Sequence, residues 1–384
     1  MKKIYLDNAA TTKPDPEVTD AMLPYFKNDF GNASSIHGFG KSAKVLLEDT
    51  RDILAEFLGV SSKEIVFTGS GTEADNHALK GFAFRHFGSG KDHIISSSVE
   101  HSAVIDTLNY LEKRFHFKIT YLKPDRYGRI SADQLLSNLT PSVFLVSLMH
   151  SNNETGVIND IKGISGSLQG KDIAVHTDMV QSLGKIKFDL KDLGADLASF
   201  SAHKIYGPKG IGALYIKNGT ALDKFIHGGK QERDIRGGTE SIPLIAGFKK
   251  AVELLKRKSD EDIATYNSLK DRLNSGLKKN FGDGVIFNSD NENCLPNIVN
   301  ISFDKNKFTF DEEMLLIQLD LKGIAVSGGS ACTAGTLKPS YVLKEIGLDE
   351  RTAMGSLRIS FGRTNTADEI DFLMDALKDI LKQK

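Results

Sequence analysis

A lysine between two apolar runs is the first residue whose setting suggests chemistry. Lys204 follows the apolar run 193–200, and a Gly-Pro turn separates it from a second apolar run at 211–216. Because both runs read as buried strands, we expect the ammonium group to be partly desolvated at a strand end. Desolvation lowers the pKa of a lysine, and such a lysine can form a Schiff base with a carbonyl compound. A buried lysine that only forms an ion pair fits the same pattern.

Cys332 is the second residue with an unusual setting. Residues 327–336 include no large apolar side chain, so we expect this segment to pack loosely and to be mobile and accessible. The other cysteine of the chain, Cys294, stands before Leu295 and Pro296. A free cysteine in that context is most often a small buried side chain. The pattern therefore favours Cys332 as the reactive thiol.

A glycine turn between a short strand and a helix suggests a phosphate site. The strand 64–67 runs into Thr-Gly-Ser-Gly-Thr at 68–72, and a helical pattern begins at about residue 73. Free backbone N–H groups at a helix start bind phosphate. The same residues satisfy the dinucleotide fingerprint G-x-G-x-x-A, which leaves a nicotinamide oxidoreductase open as an alternative. Against it, Glu100 lies 31 residues after Gly69 rather than about 20.

Polar side chains follow several strands of the predicted sheet at the point where each strand ends. His101 follows the strand 93–98, Asn153 follows the apolar run 143–149, and Asp178 ends the strand 173–178. Open α/β sheets bind ligands at the carboxyl ends of their strands. A carboxylate at Asp178 is placed to keep a pyridine nitrogen protonated, although a helix cap explains an aspartate there equally well. A lone histidine is also often structural.

An arginine near the end of the chain is a candidate for binding a carboxylate. Residues 355–361 alternate with period two, so that Leu357, Ile359 and Phe361 share one face and Arg358 lies on the other. The planar guanidinium group binds a carboxylate through two parallel hydrogen bonds. A solvent-facing edge strand would give the same alternation.

In their order along the chain these motifs resemble those of the cysteine desulfurases of the NifS/IscS type, which are group I of these desulfurases and belong to the class-V aminotransferase family. The resemblance rests on Tyr-Leu-Asp-Asn-Ala-Ala-Thr-Thr at 5–12, His-Thr-Asp at 176–178, Ser-x-His-Lys-x-Tyr-Gly-Pro-x-Gly at 201–210, Ser-Ala-Cys-Thr at 330–333, and Arg358. It covers nearly the whole chain. A single motif of this kind arises by chance, whereas an ordered series does not.

The resemblance implies the α/β architecture of fold-type I pyridoxal-phosphate-dependent transferases. We expect a large domain with a mostly parallel seven-stranded sheet, a small α/β C-terminal domain, and a homodimer. A charged stretch at 258–262 separates two amphipathic helical patterns at 244–256 and 265–279, and we place the domain boundary there. The predicted large cofactor-binding domain is 15–258. The predicted small domain comprises 1–14 and 259–384 and carries the Cys332 segment.

The resemblance also implies a role for each candidate residue. Lys204 carries pyridoxal phosphate and moves the substrate proton, His101 stacks on the cofactor ring and takes part in catalysis, and Cys332 receives sulfur as a persulfide. The family has a small residue where Met179 stands, so we expect Met179 to reshape the floor of the site. The implied cofactor-binding residues are Gly71, Thr72, His101, Asn153, Asp178, Gln181, Ser201, His203, Lys204 and, from the other subunit, Thr239. The implied substrate-binding residues are Asn32, Asn153 and Arg358.

Composition narrows the classes of partner. The 384 residues carry 50 acidic and 49 basic side chains, a net charge of −1, and no basic run that would track a nucleic acid. Two cysteines indicate a reducing compartment rather than a disulfide framework. We expect neither a signal peptide nor a membrane span from the apolar runs, and hence a cytoplasmic protein. No metal site is predicted.

The function implied is the removal of sulfur from L-cysteine to give L-alanine and a persulfide on Cys332. The persulfide would pass to a sulfur-acceptor protein, either an iron–sulfur scaffold or a tRNA-thiolating enzyme. A selenocysteine lyase, a sulfinate-releasing enzyme or an aminotransferase of the same family would share the cofactor residues, although an aminotransferase would not need Cys332. A non-catalytic interaction protein is the remaining alternative, and it would be expected to have lost Lys204 or Cys332.

Overall fold

Strands and helices alternate along the chain. The structure, a computed structural model, describes residues 3–328, 330–333 and 336–384, with the backbone alone for residues 330–333 and 336–337. The helices are α1 Pro16–Lys27, α2 Gly38–Leu58, α3 Gly71–Arg85, α4 Ser102–Phe115, α5 Ala132–Ser137, α6 Ile161–Ser167, α7 Leu190–Leu193, α8 Ile242–Phe281, α9 Leu315–Leu321, α10 Tyr341–Glu345, α11 Glu350–Met354 and α12 Ala367–Ile380. The strands are β1 Ile4–Tyr5, β2 Ile65–Thr68, β3 His93–Ser97, β4 Lys118–Leu122, β5 Val143–Ser147, β6 Ala174–Asp178, β7 Leu197–Ser201, β8 Gly212–Ile216, β9 Val285–Phe287, β10 Ile298–Phe303, β11 Phe308–Thr309, β12 Ile324–Ala325, β13 Ser327–Gly328, β14 Ser330–Thr333, β15 Thr336–Pro339, β16 Leu357–Ser360 and β17 Lys382–Gln383.

The large sheet has seven strands in the order β2-β8-β7-β6-β5-β3-β4. Only β8 runs antiparallel to its neighbours, and the pairs from β7 to β4 are parallel. Strands β5, β7 and β8 are buried at every residue, as expected for strands that helices cover on both faces. The prediction of a mostly parallel seven-stranded sheet is confirmed. Since β3, β5, β6 and β7 are parallel, their carboxyl ends lie at one edge.

A second, antiparallel sheet has the order β13-β16-β10-β9. Strand β16, which carries Arg358, lies between β13 and β10 and is therefore not an edge strand. Strand β1 pairs in parallel with β12, so the start of the chain joins this region. One apolar core unites residues from Val18 to Leu255, and a separate core unites Ile4 and Leu6 with residues between 266 and 381. These cores support the small-domain prediction, although a boundary at residue 258 stays a prediction.

The expected break at 258–262 is absent, because the helix α8 continues through it for 40 residues. Asp262 faces inward, with 6% of its side chain exposed, and accepts a hydrogen bond from Arg363 at 2.7 Å. The charged stretch is thus part of a continuous helix, and one of its carboxylates forms a buried ion pair. A cluster of charged residues was not enough to predict a break between two helices. None of the described helices is long and apolar enough to cross a bilayer.

The continuity of α8 can be tested with proline. Glu261 is exposed in the middle of the helix, so Glu261→Pro removes a backbone hydrogen bond and introduces a steric clash that together cost about 3 kcal/mol. We expect a lower midpoint of urea denaturation for Glu261→Pro and little change for the control Glu261→Ala. Equal midpoints for the two variants would show a flexible hinge at this position.

Candidate active site

A cavity of about 370 Å³ lies at the carboxyl-terminal edge of the large sheet. Its lining comes from the N-terminal arm (residues 3–14), from helix α3, from the loops after β3, β5, β6 and β7, and from strand β16. The structure brings the following predicted residues together in this cavity: Gly71, Thr72, His101, Asn153, Asp178, Gln181, Ser201, His203, Lys204 and Arg358. Polar side chains that converge in one concave space are typical of a binding site.

Lys204 ends a short 3-10 turn that begins directly after β7. The Thr12 hydroxyl donates to the carbonyl oxygen of His203 at 2.8 Å and accepts from the backbone N–H of Tyr206 at 2.8 Å. Tyr206 has a φ of 64°, a left-handed conformation that costs energy for a residue other than glycine. The N-terminal arm therefore fixes the backbone on both sides of Lys204 in a strained geometry.

The Lys204 amine lies inside the cavity and contacts the arm directly. Its Nζ donates to the carbonyl oxygens of Ala9 and Ala10, the latter at 2.9 Å. Burial, followed by the nearby guanidinium group of Arg358, lowers the pKa of Lys204 to about 8, and Asp178 opposes this shift. A lysine with this pKa supplies free amine near neutral pH, which nucleophilic attack on a carbonyl requires.

Asp178 and His101 are two further titratable residues of the cavity, and each interacts electrostatically with Lys204. Asp178 is buried and accepts from the backbone N–H of Val180 at 2.8 Å. Burial raises its pKa, while the charges of His101 and Lys204 act in the opposite direction. His101 caps α4 by accepting from the N–H of Ala103 at Nδ1, and burial lowers its pKa. Since Nδ1 accepts this hydrogen bond, a proton on the His101 imidazole is carried by Nε2.

The helix α3 starts at the cavity with its free backbone N–H groups. Ser70 caps the helix by accepting from the N–H of Glu73 at 3.0 Å, and Gly71 and Thr72 form its first turn. A Cβ atom at Gly71 would lie 2.7 Å from Val180 Cγ2 and 3.3 Å from Ser201 Cβ. Glycine is required there because the helix start packs closely against the strand ends. This geometry suits a phosphate group.

The residues present fit pyridoxal phosphate. The cavity offers an amine at Lys204, a buried carboxylate at Asp178 and a helix start. Within the described part of the chain, the buried Oδ1 atom of Asn153 has no hydrogen-bond partner, and a buried polar atom of this kind calls for a polar ligand. The amide of Gln181 donates to the carbonyl oxygen of Ala9 at 3.0 Å, which holds its side chain at the cavity wall.

The Arg358 guanidinium group lies at the other end of the cavity. It donates to the carbonyl oxygen of Asn153 at 2.9 Å, to Asp7 Oδ1 at 2.8 Å and to Ser327 Oγ at 3.0 Å. Its side chain is only 10% exposed. Among the described residues, Arg358 Nε has no acceptor. The guanidinium group therefore has an unused donor in a largely buried position, as a carboxylate-binding residue should.

The sequence analysis used residues 5–12 only as a family motif and did not predict that the N-terminal arm lines the cavity. The structure places Ala9 and Ala10 in the cavity wall, and Thr11 Oγ1 contacts His203 Nδ1 at 3.1 Å. Burial, with the charge of Lys204, lowers the pKa of His203 to about 4, so this imidazole is neutral. The available signal was the pair of small residues Ala-Ala, which allows the backbone of the arm to approach the site.

Asp75 is a second cavity residue that the sequence did not single out. It lies one helical turn after Gly71 on α3 and is buried. Burial and the charge of Asp178 raise the pKa of Asp75 well above its usual range, against a hydrogen bond from Ser199. The helical spacing from the phosphate-binding turn was the signal that could have identified it.

Several predictions fall outside this cavity. Asn32 is exposed and accepts from the N–H of Ser34 at 2.9 Å, so within one chain it does not reach the cavity. Thr239 lines a smaller cavity of about 90 Å³ next to Gly69. The side chain of Cys332 lies outside the described residues. These assignments stay predictions.

The expectation for Met179 is wrong. Its side chain is fully buried in the apolar core, and the adjacent Val180 lines the cavity instead. Cys294 is buried, as predicted.

Comparisons with known proteins agree on one family. The aminotransferase class-V profile matches residues 4–373. Cysteine desulfurase IscS of Dictyoglomus turgidum is 43% identical over 382 residues, which cover 100% of this chain and 95% of the relative. A solved NifS-like protein superimposes with a TM-score of 0.91 at 36% identity, over 99% of each chain. SspA, solved in complex with cysteine, gives a TM-score of 0.80 at 35% identity, over 95% of this chain and 100% of that one.

These similarities confirm the fold-type I expectation and the resemblance on which it rested. They also argue against a nicotinamide oxidoreductase, since the glycine turn at 69–74 occurs in the context of this family.

The lowered pKa of Lys204 predicts selective reactivity. Cofactor-free protein should be treated with pyridoxal phosphate, reduced with borohydride and mapped by peptide mass spectrometry. The yield on Lys204 should reach half its maximum near pH 8 and approach its plateau by about pH 9, because only free amine reacts. Surface lysines, with an ordinary pKa of about 10.4, should still gain label above that pH. A Lys204 profile that follows the surface lysines would contradict the assignment.

Proposed function

The chain belongs to the aminotransferase class-V family, and we propose that it is a cysteine desulfurase that uses pyridoxal phosphate to take sulfur from L-cysteine. The observation that carries the proposal is one cavity holding the Lys204 amine, the Asp178 carboxylate and the Arg358 guanidinium group. Its support is the 43% identity over the full chain to a cysteine desulfurase. The cysteine in the SspA complex supports an amino acid of this kind as substrate.

The cavity residues divide the binding of the cofactor among them. Lys204 would hold it covalently, Asp178 would pair with the pyridine nitrogen, and His101 would cover the ring. The start of α3 would bind the phosphate, with Thr239 of a second subunit. When bound, pyridoxal phosphate supplies an electron sink for the negative charge that develops at the substrate Cα.

The chain's own residues supply binding and proton transfer. Arg358 binds the substrate carboxylate by charge-assisted hydrogen bonds. Lys204 accepts the Cα proton, which requires the neutral amine, and its pKa of about 8 makes that form available near neutral pH. A positive charge at the pyridine nitrogen would hold Asp178 ionised, against the rise in pKa that its burial causes. Its burial strengthens that interaction, because the local dielectric constant is low.

Cys332 receives the sulfur. Its thiolate attacks the substrate sulfur, a new S–S bond replaces the substrate C–S bond, and protonation at carbon gives L-alanine. Cys294 is not suited to this step, because burial raises the pKa of its thiol and Lys270 only partly offsets the shift. A thiol without thiolate character is a poor nucleophile.

We further propose a homodimer that passes its persulfide to an acceptor protein, in the cytoplasm. Large apolar side chains of the α1–α2 region are exposed by more than half, and such a patch supports a protein interface. They are Phe26, Phe30, Ile36, Phe39 and Val45. The acceptor is either an iron–sulfur scaffold or a tRNA-thiolating enzyme.

The role of Asp178 can be separated from helix capping by Asp178→Asn. The amide still accepts from the N–H of Val180, so the fold and some cofactor binding should remain. It carries no charge for the pyridine nitrogen, so desulfurase kcat should fall by about 100-fold or more. The cofactor absorption spectrum should change with it. Parent activity with an unchanged spectrum would leave Asp178 as a cap only.

The sulfur-carrying residue can be identified with two alanine variants. After incubation with L-cysteine, peptide mass spectrometry should find added sulfur on the Cys332 peptide of the parent and of Cys294→Ala. Cys332→Ala should still show the spectral change with L-cysteine, because Lys204 and Arg358 remain, but should carry no persulfide. Added sulfur on Cys294 would overturn the proposed step.

A further inference from the structure

The guanidinium group of Arg358 already binds a carboxylate from its own chain. Asp7 Oδ1 accepts from Arg358 Nη2 at 2.8 Å, and Ser327 Oγ accepts from the same nitrogen at 3.0 Å. Asp7 Oδ1 also accepts from Ser327 Oγ at 2.8 Å. The side chains of Asp7 and Arg358 are 18% and 10% exposed, so water screens this pair only weakly. We call Asp7, Ser327 and Arg358 the arginine triad.

The triad leaves too few donors for an incoming carboxylate. A guanidinium group has five N–H donors, and a carboxylate binds two of them side by side. Both hydrogens of Arg358 Nη2 are used by Asp7 and Ser327, and one hydrogen of Nη1 is used by the carbonyl oxygen of Asn153. The remaining donors, on Nε and Nη1, lie on opposite sides of the group. Each pair of parallel donors includes Nη2.

We propose that Asp7 is a specificity-determining residue that competes with the substrate carboxylate for Arg358. This inference rests on the proposed function, in which Arg358 binds that carboxylate. A ligand gains two parallel charge-assisted hydrogen bonds only if it displaces Asp7 or Ser327 from Nη2, and displacing Ser327 alone would leave the ligand carboxylate beside the negative charge of Asp7. A neutral group cannot replace the charge of Asp7 next to Arg358. A ligand without a carboxylate leaves Asp7 in place, so Asp7 lowers the affinity for ligands with a carboxylate and leaves the affinity for neutral ligands unchanged.

The backbone fixes Asp7 in this competing position. Strand β1 pairs with β12, and Asp7 itself forms a bridge with Ser360, at the end of the strand that carries Arg358. Ser327 lies directly opposite Arg358 in the antiparallel pair of β13 and β16. The three backbones are thus held together by sheet hydrogen bonds, and only the Asp7 side chain has to move when a ligand binds.

The test compares two ligands that have no amine and so do not react at Lys204. 3-Mercaptopropionate carries the carboxylate, and 2-mercaptoethanol does not. Isothermal titration of the cofactor-loaded protein should show that Asp7→Asn lowers the Kd for 3-mercaptopropionate about fivefold, the factor for losing one partly screened ion pair. The Kd for 2-mercaptoethanol should not change. Asparagine keeps the acceptor for Ser327, so the arm should stay in place.

Three further variants make the result decisive. Asp290→Asn is the matched control, because Asp290 accepts from Arg129 at 2.7 Å with its side chain 14% exposed and does not line the cavity. It should leave both Kd values unchanged. Ser327→Ala frees one Nη2 hydrogen and should also lower the Kd for 3-mercaptopropionate. This variant keeps the inference testable if Asp7→Asn does not fold.

Arg358→Ala separates this inference from the proposed function. If Arg358→Ala loses 3-mercaptopropionate binding but Asp7→Asn binds it no more tightly than the parent, the proposed competition by Asp7 is overturned and the proposed role of Arg358 stands. Unchanged binding in Arg358→Ala would instead overturn the proposed role of Arg358 itself.

Discussion

The contact on which the rest of the site depends is between the backbone of the N-terminal arm and the turn that carries Lys204. Ala9 and Ala10 present carbonyl oxygens to the amine, and Thr12 holds the turn from both sides. Carbonyl dipoles stabilise an ammonium ion without adding a full negative charge. Burial can therefore lower the pKa of Lys204 to about 8 while the group stays hydrogen-bonded. A carboxylate in the same place would pair with Lys204 and hold its pKa high.

The sequence predicted those parts of the site that local patterns encode. Asp178 and Lys204 follow apolar strand runs, and the carboxyl ends of parallel strands meet at one edge, so their convergence followed from the sheet alone. Residues brought in by long-range contacts left weaker signals. The charged stretch at 258–262 resembled a hinge because charges often mark exposed loops, but Asp262 pairs with Arg363, about 100 residues later. Met179 turned inward because it precedes Val180 in a tight turn, where adjacent side chains diverge.

Two of the predicted site residues lie outside the cavity of the described chain. Asn32 and Thr239 lie outside the cavity of one chain, and no pattern within that chain could decide their surroundings. The exposed apolar side chains near Asn32 have the character of an interface, which is where a residue that acts across subunits would be expected. The placement of Asn32 is therefore compatible with a site completed by a second subunit.

The arm links the two ends of the substrate site. Asp7 contacts Arg358, and two residues later Ala9 contacts Lys204. One short turn, closed by a hydrogen bond from the Ala10 N–H to the Asp7 carbonyl oxygen at 3.0 Å, therefore sets the distance between the group that would bind the carboxylate and the amine that would take the Cα proton. Since Asp7 also bridges to Ser360, a shift of the small sheet would move the arm, and the arm would move the contacts of Lys204. The positive charge of Arg358 also lowers the pKa of Lys204, so the two residues are linked electrostatically as well as through their contacts with the arm.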